Sequence, residues 1–234
     1  MSDKKRVAIV TGASRGIGKA AIAALDARGV TAIGMSRNLP DDARNRRVDV
    51  ADEASIRRAF EGVITDFGRI DILVNCAAVA TTAEPLGLNA DDWEAVLRPN
   101  LIGTYLCCKH AIPVMKQHGF GRVINVGSIA GRSFSKTGSI AYTASKYGVI
   151  GITRQLAAQF GRDGITVNCV APSQTKTEML QEIATPAQLE AIAAANPTGR
   201  LGEPRDVASA IVFLASDDAS YINGAVLDIN GGVL

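Results

Sequence analysis

Histidine and cysteine are scarce in this sequence, which has two of the first and four of the second among 234 residues. The cysteines are Cys76, Cys107, Cys108 and Cys169, and none of them has the C-x-x-C spacing that metal and redox sites use. The sequence therefore predicts no metal centre and no disulfide framework. We expect the thiols to be small, buried side chains.

Excess charge and aromatic residues are also lacking. The formal net charge is +2 and aromatic residues make up 5% of the chain, so there is no basic stripe with interleaved aromatics to bind nucleic acid. No apolar run approaches the ~20 residues of a membrane-spanning helix. The first six residues are polar and run directly into a short apolar stretch, unlike a signal peptide. We expect a soluble, cytoplasmic protein without a nucleic-acid or membrane partner.

The sequence does contain a regular alternation of short β-rich runs and longer helical patterns. Several of the short runs are apolar nearly throughout, which is typical of buried parallel strands. The predicted strands are Val7–Thr11, Val30–Met35, Arg46–Asp49, Ile72–Asn75, Gly121–Gly127, Thr166–Ala171 and Ala225–Ile229. The predicted helices are Ile17–Arg28, Glu53–Phe67, Asp91–Lys116, Tyr142–Gly161 and Pro204–Ala215. The alternation predicts an α/β protein, a single-domain Rossmann fold over residues 1–234 with a doubly wound, seven-stranded parallel sheet flanked by helices.

Two connections depart from this pattern. The stretch Ser36–Asn45 is brief and contains Pro40, so we expect a loop or a single turn in place of a full helix. The segment Ser173–Thr198 is the least regular part of the chain and directly follows a predicted strand. Such a segment suits a mobile lid over a binding site, and its residues around 179–192 would select the substrate.

A glycine-rich turn lies between the first predicted strand and the first predicted helix, with the sequence Thr11-Gly12-Ala13-Ser14-Arg15-Gly16-Ile17-Gly18. Glycines let the backbone approach a pyrophosphate closely, and the start of a helix offers free N–H groups. The Lys-Ser/Thr pair of a nucleoside-triphosphate loop is missing. The turn therefore predicts a dinucleotide cofactor, and an ordinary glycine turn is the alternative.

Two arginines indicate which nicotinamide cofactor is used. In NAD-specific sites an acidic residue after the second strand binds the ribose 2′-hydroxyl. Here the stretch reads Gly34-Met35-Ser36-Arg37, so that carboxylate is missing, and Arg15 supplies a second cation nearby. A guanidinium binds a 2′-phosphate through a forked pair of hydrogen bonds. The sequence predicts NADP(H), with NAD possible, and the alternative is that both arginines are solvated surface residues.

Tyr142 and Lys146 are four residues apart in a predicted helix, so their side chains share one face. A nearby ammonium group favours the phenolate form, which lets a tyrosine donate a proton to a developing alkoxide and recover it in reverse. Ser128 ends the fifth predicted strand, where a substrate carbonyl needs a hydrogen-bond donor. The alternatives are an exposed helix pair for Tyr142 and Lys146 and a capping role for Ser128.

Together these motifs resemble the short-chain dehydrogenase/reductase family, in the single-domain branch that includes 3-oxoacyl-acyl-carrier-protein reductases. The resemblance extends from Val7 to Gly232, with the motifs in the family's order. Besides the glycine turn, the matching segments are Asp49-Val50, Asn75-Cys76-Ala77-Ala78, Pro172-Ser173-Gln174-Thr175-Lys176-Thr177 and Asn230-Gly231-Gly232. The residues that match the family's catalytic tetrad are Asn100, Ser128, Tyr142 and Lys146. The resemblance implies cofactor contacts by Gly12, Ser14, Arg15, Gly16, Ile17, Gly18, Ser36, Arg37, Asp49, Val50, Asn75, Ala77, Tyr142, Lys146, Pro172, Thr175 and Thr177.

The resemblance implies an enzyme that interconverts a ketone and a secondary alcohol by hydride transfer. Ser128 would polarise the carbonyl, Tyr142 would protonate it, and Lys146 would bind the nicotinamide ribose. Asn100 would hold a water molecule that links Lys146 to solvent. Asp49 would bind the adenine amino group.

The family also implies a homotetramer. The predicted helices Asp91–Lys116 and Tyr142–Gly161 would form one interface, and the C-terminal helix and strand would form another.

Five features depart from the family's pattern. Cys76 stands where the family has asparagine. Ala78 and Ser173 stand where the family has glycine and add bulk beside the cofactor path. Pro99 directly precedes Asn100 and can kink the predicted helix there. The loop Arg132–Ser139 is one residue longer than usual, which alters the wall of the substrate site.

The substrate is left open by the sequence. The two basic positions that dock the acidic carrier protein in 3-oxoacyl reductases fall at Gly119 and Asp163, although Lys116 and Arg162 are close by. This weakens the carrier-protein alternative. A non-catalytic NADP sensor on the same fold is a second alternative, but such a protein has no use for Tyr142 with Lys146.

Overall fold

A seven-stranded parallel sheet is the centre of the computed structural model, which describes residues 5–84, 86–135 and 137–234. Its strands lie in the order β3-β2-β1-β4-β5-β6-β7, and every neighbouring pair is parallel. The strands are β1 Val7–Thr11, β2 Thr31–Ser36, β3 Asn45–Arg47, β4 Ile72–Asn75, β5 Gly121–Val126, β6 Ile165–Pro172 and β7 Val226–Ile229. The predicted doubly wound Rossmann fold is confirmed.

Helices cover both faces of this sheet. They are α1 Gly16–Asp26, α2 Glu53–Phe67, α3 Ala90–Leu97, α4 Gly103–His118, α5 Ile140–Phe160, α6 Glu178–Ile183, α7 Pro186–Ala195 and α8 Pro204–Ala215. Successive strand residues point to opposite faces, so Ile9 packs against α2, α4 and α5 while Ala8 and Val10 pack against α1 and α8. Both layers are apolar, and the first four residues of β1 are accordingly apolar and buried.

The strand order creates a crevice next to β1. The chain moves outward from β1 to β2 and β3, then returns to the other side of β1 with β4. The helices that follow β1 and β4 therefore lie on opposite faces of the sheet, and the carboxyl ends of these two strands separate. In open α/β sheets ligands bind at such a switch point.

The predicted single helix Asp91–Lys116 is wrong, although its interruption lies where Pro99 was expected to kink it. It is divided into α3 and α4 by a π-helical turn at Arg98–Ile102, which includes Pro99 and Asn100. A proline has no N–H to donate and crowds the preceding turn, so a wider turn accommodates it.

The irregular structure predicted for 173–198 is also wrong, because this segment contains the two helices α6 and α7. Thr177 caps the first helix, and Thr185 and Gln188 form a capping box on the second, whose first residue is Pro186. The residues from 173 to 198 are called the lid segment below. Strand β3 begins one residue earlier and ends two residues earlier than predicted, whereas the stretch before it has no helix, as expected.

None of the helices in the described ranges combines the length and apolar character needed to cross a bilayer.

Candidate active site

A cavity of about 1120 Å³ lies at the carboxyl ends of the strands, at the switch point beside β1. The glycine turn after β1, the ends of β2, β4 and β5, the start of α5 and the lid segment all contribute to its walls. Of the predicted site residues, all line this cavity except Asn75 and Asn100. The described residues contain no group of three or more His, Cys, Asp or Glu side chains placed to hold a metal ion.

The glycine turn is packed against the end of β4. Gly12 has φ +66°, and a Cβ there would lie 2.8 Å from the Ala77 backbone. A Cβ on Gly18 would lie 2.3 Å from the Gly12 carbonyl oxygen. The Thr11 hydroxyl accepts hydrogen bonds from Cys76 N and Ala77 N, both at 3.1 Å, and so joins the ends of β1 and β4. Glycine at these positions keeps the start of α1 free of side chains.

The start of α1 suits the pyrophosphate of a dinucleotide. Arg15 occupies the N-cap position, and its side chain makes no capping hydrogen bond. The first N–H groups of α1 therefore face the cavity without a side-chain acceptor, which is the arrangement that binds a phosphate. Gly16, with φ +53°, and Ile17 complete this surface. This surface, formed by the glycine turn and the first residues of α1, is called the phosphate cradle below, and it fits the predicted cofactor.

Polar side chains line the far end of the cavity, beyond β2 and β3. The Ser36 hydroxyl donates a hydrogen bond to the Ser14 hydroxyl at 3.1 Å. One carboxylate oxygen of Asp49 accepts from Ala51 N at 2.9 Å, which fixes its side chain beside Val50. Arg37 is exposed at this end and forms no ion pair within the described residues.

Arg15 has a protein partner, unlike Arg37. Its guanidinium forms a bidentate ion pair with Glu182 of α6, and the longer of the two hydrogen bonds measures 3.1 Å. The hydrogen bond from Arg15 holds the pKa of Glu182 below its usual range, although desolvation acts in the opposite direction. The same bond raises the pKa of Arg15. Both groups therefore carry full charges at neutral pH.

Three side chains converge where β5 and α5 meet the cavity. Ser128 follows β5, and its hydroxyl oxygen accepts from Ala130 N at 3.1 Å, which leaves the hydroxyl hydrogen free to donate. Lys146 is 3% exposed, and its Nζ donates to the Val126 carbonyl at 2.8 Å. The same Nζ lies 5.6 Å from the centroid of the Tyr142 ring. The Tyr142 hydroxyl makes no hydrogen bond to another described residue.

Asn100 has a role in the protein interior. Its side chain accepts from Val79 N at 2.8 Å, donates to Val79 O at 2.9 Å, and donates to the Ser145 hydroxyl at 3.2 Å. Ser145 in turn donates to the Tyr142 carbonyl at 2.6 Å. Asn100 thus joins the π-helical turn to the loop after β4 and to α5, and its predicted water contact stays a prediction.

Asn75 is likewise turned away from the cavity. Its amide donates to Asn125 Oδ1 at 2.8 Å and to Cys108 Sγ at 3.3 Å, inside the core. Its side chain therefore supports the floor of the site without lining it. Of the two residues in this motif that were predicted to contact the cofactor, Ala77 does line the cavity.

A family model described as enoyl-(acyl carrier protein) reductase matches residues 12–234. The chain belongs to the short-chain dehydrogenase/reductase family. It is 39% identical over 238 residues to the 3-oxoacyl-[acyl-carrier-protein] reductase FabG of Haemophilus influenzae, covering 97% of this chain and 98% of that protein. It is also 40% identical over 240 residues to the D-threitol dehydrogenase of Mycolicibacterium smegmatis, covering 97% and 92%.

Solved structures of the same family superpose closely on this chain. The ligand-free aldohexose dehydrogenase of Thermoplasma acidophilum has a TM-score of 0.91 and 29% identity, over 98% of this chain and 94% of that one. ElxO with NADP bound has a TM-score of 0.90 and 32% identity, over 97% and 98%.

The family is one of oxidoreductases that act on CH–OH and C=O groups with a nicotinamide cofactor. This member is accordingly an NAD(P)(H)-dependent oxidoreductase that interconverts a ketone and a secondary alcohol.

Several lining residues were missed by the sequence analysis. Ser135, Thr137 and Gln174 place polar side chains in the cavity wall. Gln174 lies inside a recognised motif but at its variable position. The other two were not named, although they lie in the loop before α5 that was predicted to alter the wall of the substrate site. Glu182 was missed because its partner Arg15 is 167 residues away in the sequence.

Cys76 also lines the cavity, but it is not a nucleophile there. Burial raises the pKa of its thiol to about 11, although the nearby charge of Lys146 acts in the opposite direction. The thiol is therefore protonated at neutral pH and contributes apolar volume next to the glycine turn.

Gly18→Ala tests whether the phosphate cradle binds the cofactor. The added methyl would meet the Gly12 carbonyl oxygen at 2.3 Å, and backbone cannot rotate away as a side chain can. We expect the dissociation constants of NADPH and NADH, measured by fluorescence titration, to rise at least about tenfold. Gly62→Ala in α2 is the matched control, because its new Cβ would have an ordinary 3.5 Å contact. A Gly18→Ala protein with native circular dichroism and unchanged affinity for NADPH and NADH would show that the cofactor does not bind at this turn.

Proposed function

We propose that this enzyme is an NADP(H)-preferring reductase of small, hydroxylated carbonyl compounds, with Ser128, Tyr142 and Lys146 as its catalytic residues. One observation carries this proposal. A free serine hydroxyl, a tyrosine and a buried lysine meet in a cavity that also contains the uncapped start of α1. A nicotinamide cofactor bound there supplies or accepts the hydride.

Each of the three side chains has a distinct task. Ser128 donates its hydroxyl hydrogen to the substrate oxygen and orients the carbonyl. Tyr142 protonates that oxygen during reduction and removes the proton during oxidation. Lys146 attracts the negative charge that develops on the phenol oxygen. Its remaining N–H groups would hold the nicotinamide ribose.

Asn100 is a positioning residue in this scheme. Its hydrogen bonds to Val79 and Ser145 hold α5 against the π-helical turn, one residue from Lys146. The other end of the cofactor would lie against Asp49 and Val50, and Thr175 and Thr177 would bind near the nicotinamide and the phosphates.

The preference for NADP(H) is supported by charge at the far end of the cavity. Arg37 is free of ion pairs within the described residues, and no carboxylate stands at the end of β2 where one would repel a 2′-phosphate. A guanidinium binds phosphate through paired charge-assisted hydrogen bonds. The related ElxO has NADP bound.

Replacing both arginines tests this preference. We expect Arg15→Ala together with Arg37→Ala to weaken NADPH binding by about tenfold or more and NADH binding by less than about threefold, because NADH has no 2′-phosphate. Fluorescence titration with each cofactor measures both effects. Arg57→Ala, on the exposed face of α2, is the control for loss of a surface cation. Equal losses for the two cofactors would refute the assignment.

A free substrate is favoured over one attached to a carrier protein. At the family's carrier-docking positions this chain has Gly119 and Asp163, and the neighbouring Lys116 is paired with Asp163 at 3.1 Å. That pair neutralises a cation that an acidic carrier would need. The 3-oxoacyl reductase of H. influenzae shares the family, so a carrier-bound substrate is the second candidate.

The cavity wall favours a substrate with hydroxyl groups. Gln174 and Thr137 line the cavity with side chains that form no hydrogen bond to other described residues, and Ser135 also lines it. Unpaired polar groups in a cavity wall select substrates that satisfy these donors and acceptors. Two relatives act on such compounds, namely threitol and aldohexose.

Tyr142→Phe tests the chemistry. We expect turnover to fall below about 1% of wild type, because a general acid contributes about 10²–10⁴-fold and Ser128 forms a hydrogen bond to the substrate oxygen without transferring its proton. NADPH consumption is followed with keto sugars, cyclic diketones and 3-oxoacyl thioesters, free and carrier-bound. Tyr147→Phe removes a phenol outside the cavity, where its hydroxyl bonds to Ser133 O at 3.0 Å, and should retain activity.

The panel separates the candidates. Turnover with the keto sugars supports the proposal, and turnover with only the carrier-bound thioester supports the second candidate. Cofactor binding without turnover on any substrate would favour a sensor. A Tyr142→Phe enzyme that retains several per cent of activity would remove the assigned acid.

We also propose that the enzyme is a homotetramer. Large apolar side chains are exposed on the outer faces of α4 and α5, namely Tyr105, Ile140 and Tyr147, and on α8 and β7, namely Phe213 and Leu227. Burial of such faces between copies would remove them from water. Sedimentation equilibrium at micromolar concentration is expected to give four chains, and a monomer there would contradict the assembly.

A further inference from the structure

One ion pair joins the phosphate-binding turn to the lid segment. Arg15 is the N-cap of α1, and Glu182 lies near the end of α6. Two hydrogen bonds connect their charged groups, and Glu178, one turn earlier in α6, also attracts the guanidinium. The pair is called the Arg15–Glu182 latch below.

The latch is one of the few contacts that attach α6 to the rest of the molecule. Of the six residues in this helix, Leu180 alone is buried. The chain before α6 is fixed through Thr175, which pairs with Gly202, and through Lys176 N, which donates to Gly202 O at 2.8 Å. Beyond these points the segment is held by the buried side chains of Leu180 and Ala184 and by the latch. Loss of the latch would therefore loosen α6 without disturbing its base.

The guanidinium of Arg15 cannot form a bidentate pair with two acidic groups at the same time. Its fork matches one planar oxyanion at a time, and Glu182 occupies it in the absence of cofactor. The side chains of Arg15 and Glu182 are 45% and 57% exposed, so their pairing is screened by solvent and is weak. A phosphate monoester carries more charge than a carboxylate and is the stronger acceptor.

We infer that Glu182 competes with the cofactor's 2′-phosphate for Arg15, so that binding of a 2′-phosphate releases the lid helix α6. Glu182 thereby lowers the preference for NADP(H) that Arg15 and Arg37 create. NADH, which has a hydroxyl at this position, leaves the latch closed. This inference rests on the proposed placement of the 2′-phosphate near Arg15.

Glu182→Gln measures the competition directly. Removal of the charge leaves Arg15 available, so the NADPH dissociation constant should fall about two- to fivefold while that of NADH changes little. Fluorescence titration with each cofactor gives the two dissociation constants, and their ratio measures the preference for NADPH over NADH. Glu190→Gln is the matched control, because Glu190 is an exposed lid carboxylate outside the cavity and without an ion pair among the described residues. Combined with Arg15→Gln, Glu182→Gln should have no effect on either constant.

The release of α6 has a readout that needs no turnover. Hydrogen–deuterium exchange of residues 178–184 is compared with saturating 2′,5′-ADP, which carries the 2′-phosphate, and with 5′-AMP, which does not. We expect 2′,5′-ADP alone to raise exchange in this segment. In Glu182→Gln the exchange should be high already and should not rise further.

The outcomes separate this inference from the proposed cofactor preference. If wild type prefers NADPH and Glu182→Gln leaves the ratio unchanged, the latch is overturned and the preference stands. If wild type binds both cofactors equally and Glu182→Gln shifts the ratio toward NADPH, the preference fails and the latch stands. Unchanged exchange with 2′,5′-ADP would also overturn the release of α6.

Discussion

The ammonium group of Lys146 is buried, and burial of a charge is costly in free energy unless a polar group forms a hydrogen bond with it. The Val126 carbonyl at the end of β5 does so at 2.8 Å. Helix α5 must therefore lie where Lys146 can reach that strand end. Gly131 makes this approach possible, because a Cβ there would lie 2.6 Å from the Lys146 carbonyl oxygen. Tyr142, one turn earlier, is thereby brought to the cavity that Ser128 also lines.

The fold was predictable wherever burial dictates the residue type. The central strands β1 and β4 have the predicted bounds, because both of their faces are covered and a continuous apolar run signals this. The edge strand β3 was misplaced, since Asn45–Arg47 is polar and its pairing with β2 leaves no apolar pattern. At Arg98–Ile102 the sequence predicted a kink beside Pro99 but not a π-helical turn, because the apolar residues on either side still resemble one continuous helix. The lid helices had a readable signal in Thr185-Pro186-Ala187-Gln188, which the length and composition of the segment obscured.

The site was predictable to the extent that motifs fix backbone positions. Ser128, Tyr142, Lys146 and the glycine turn all line one cavity because strand ends and helix starts determine where they lie. The motifs do not show where a side chain points. Asn75 and Asn100 follow the family's pattern, yet both side chains bond inside the protein, where they hold neighbouring segments together. Their positions depend on contacts across 21 to 50 residues of sequence, which no local pattern encodes.

Arg15 and Arg37 show the same limit in electrostatic terms. The sequence presents them as two equivalent cations at one end of a cofactor site. In the folded chain Arg37 has no partner among the described residues, whereas Arg15 is paired with Glu182. A cation that is already paired must give up its old interaction to bind a ligand. It therefore contributes to ligand binding only the difference between the free energies of its new and old interactions. Residues distant in sequence therefore determine how much each motif arginine adds to cofactor selectivity, even when the motif itself is complete.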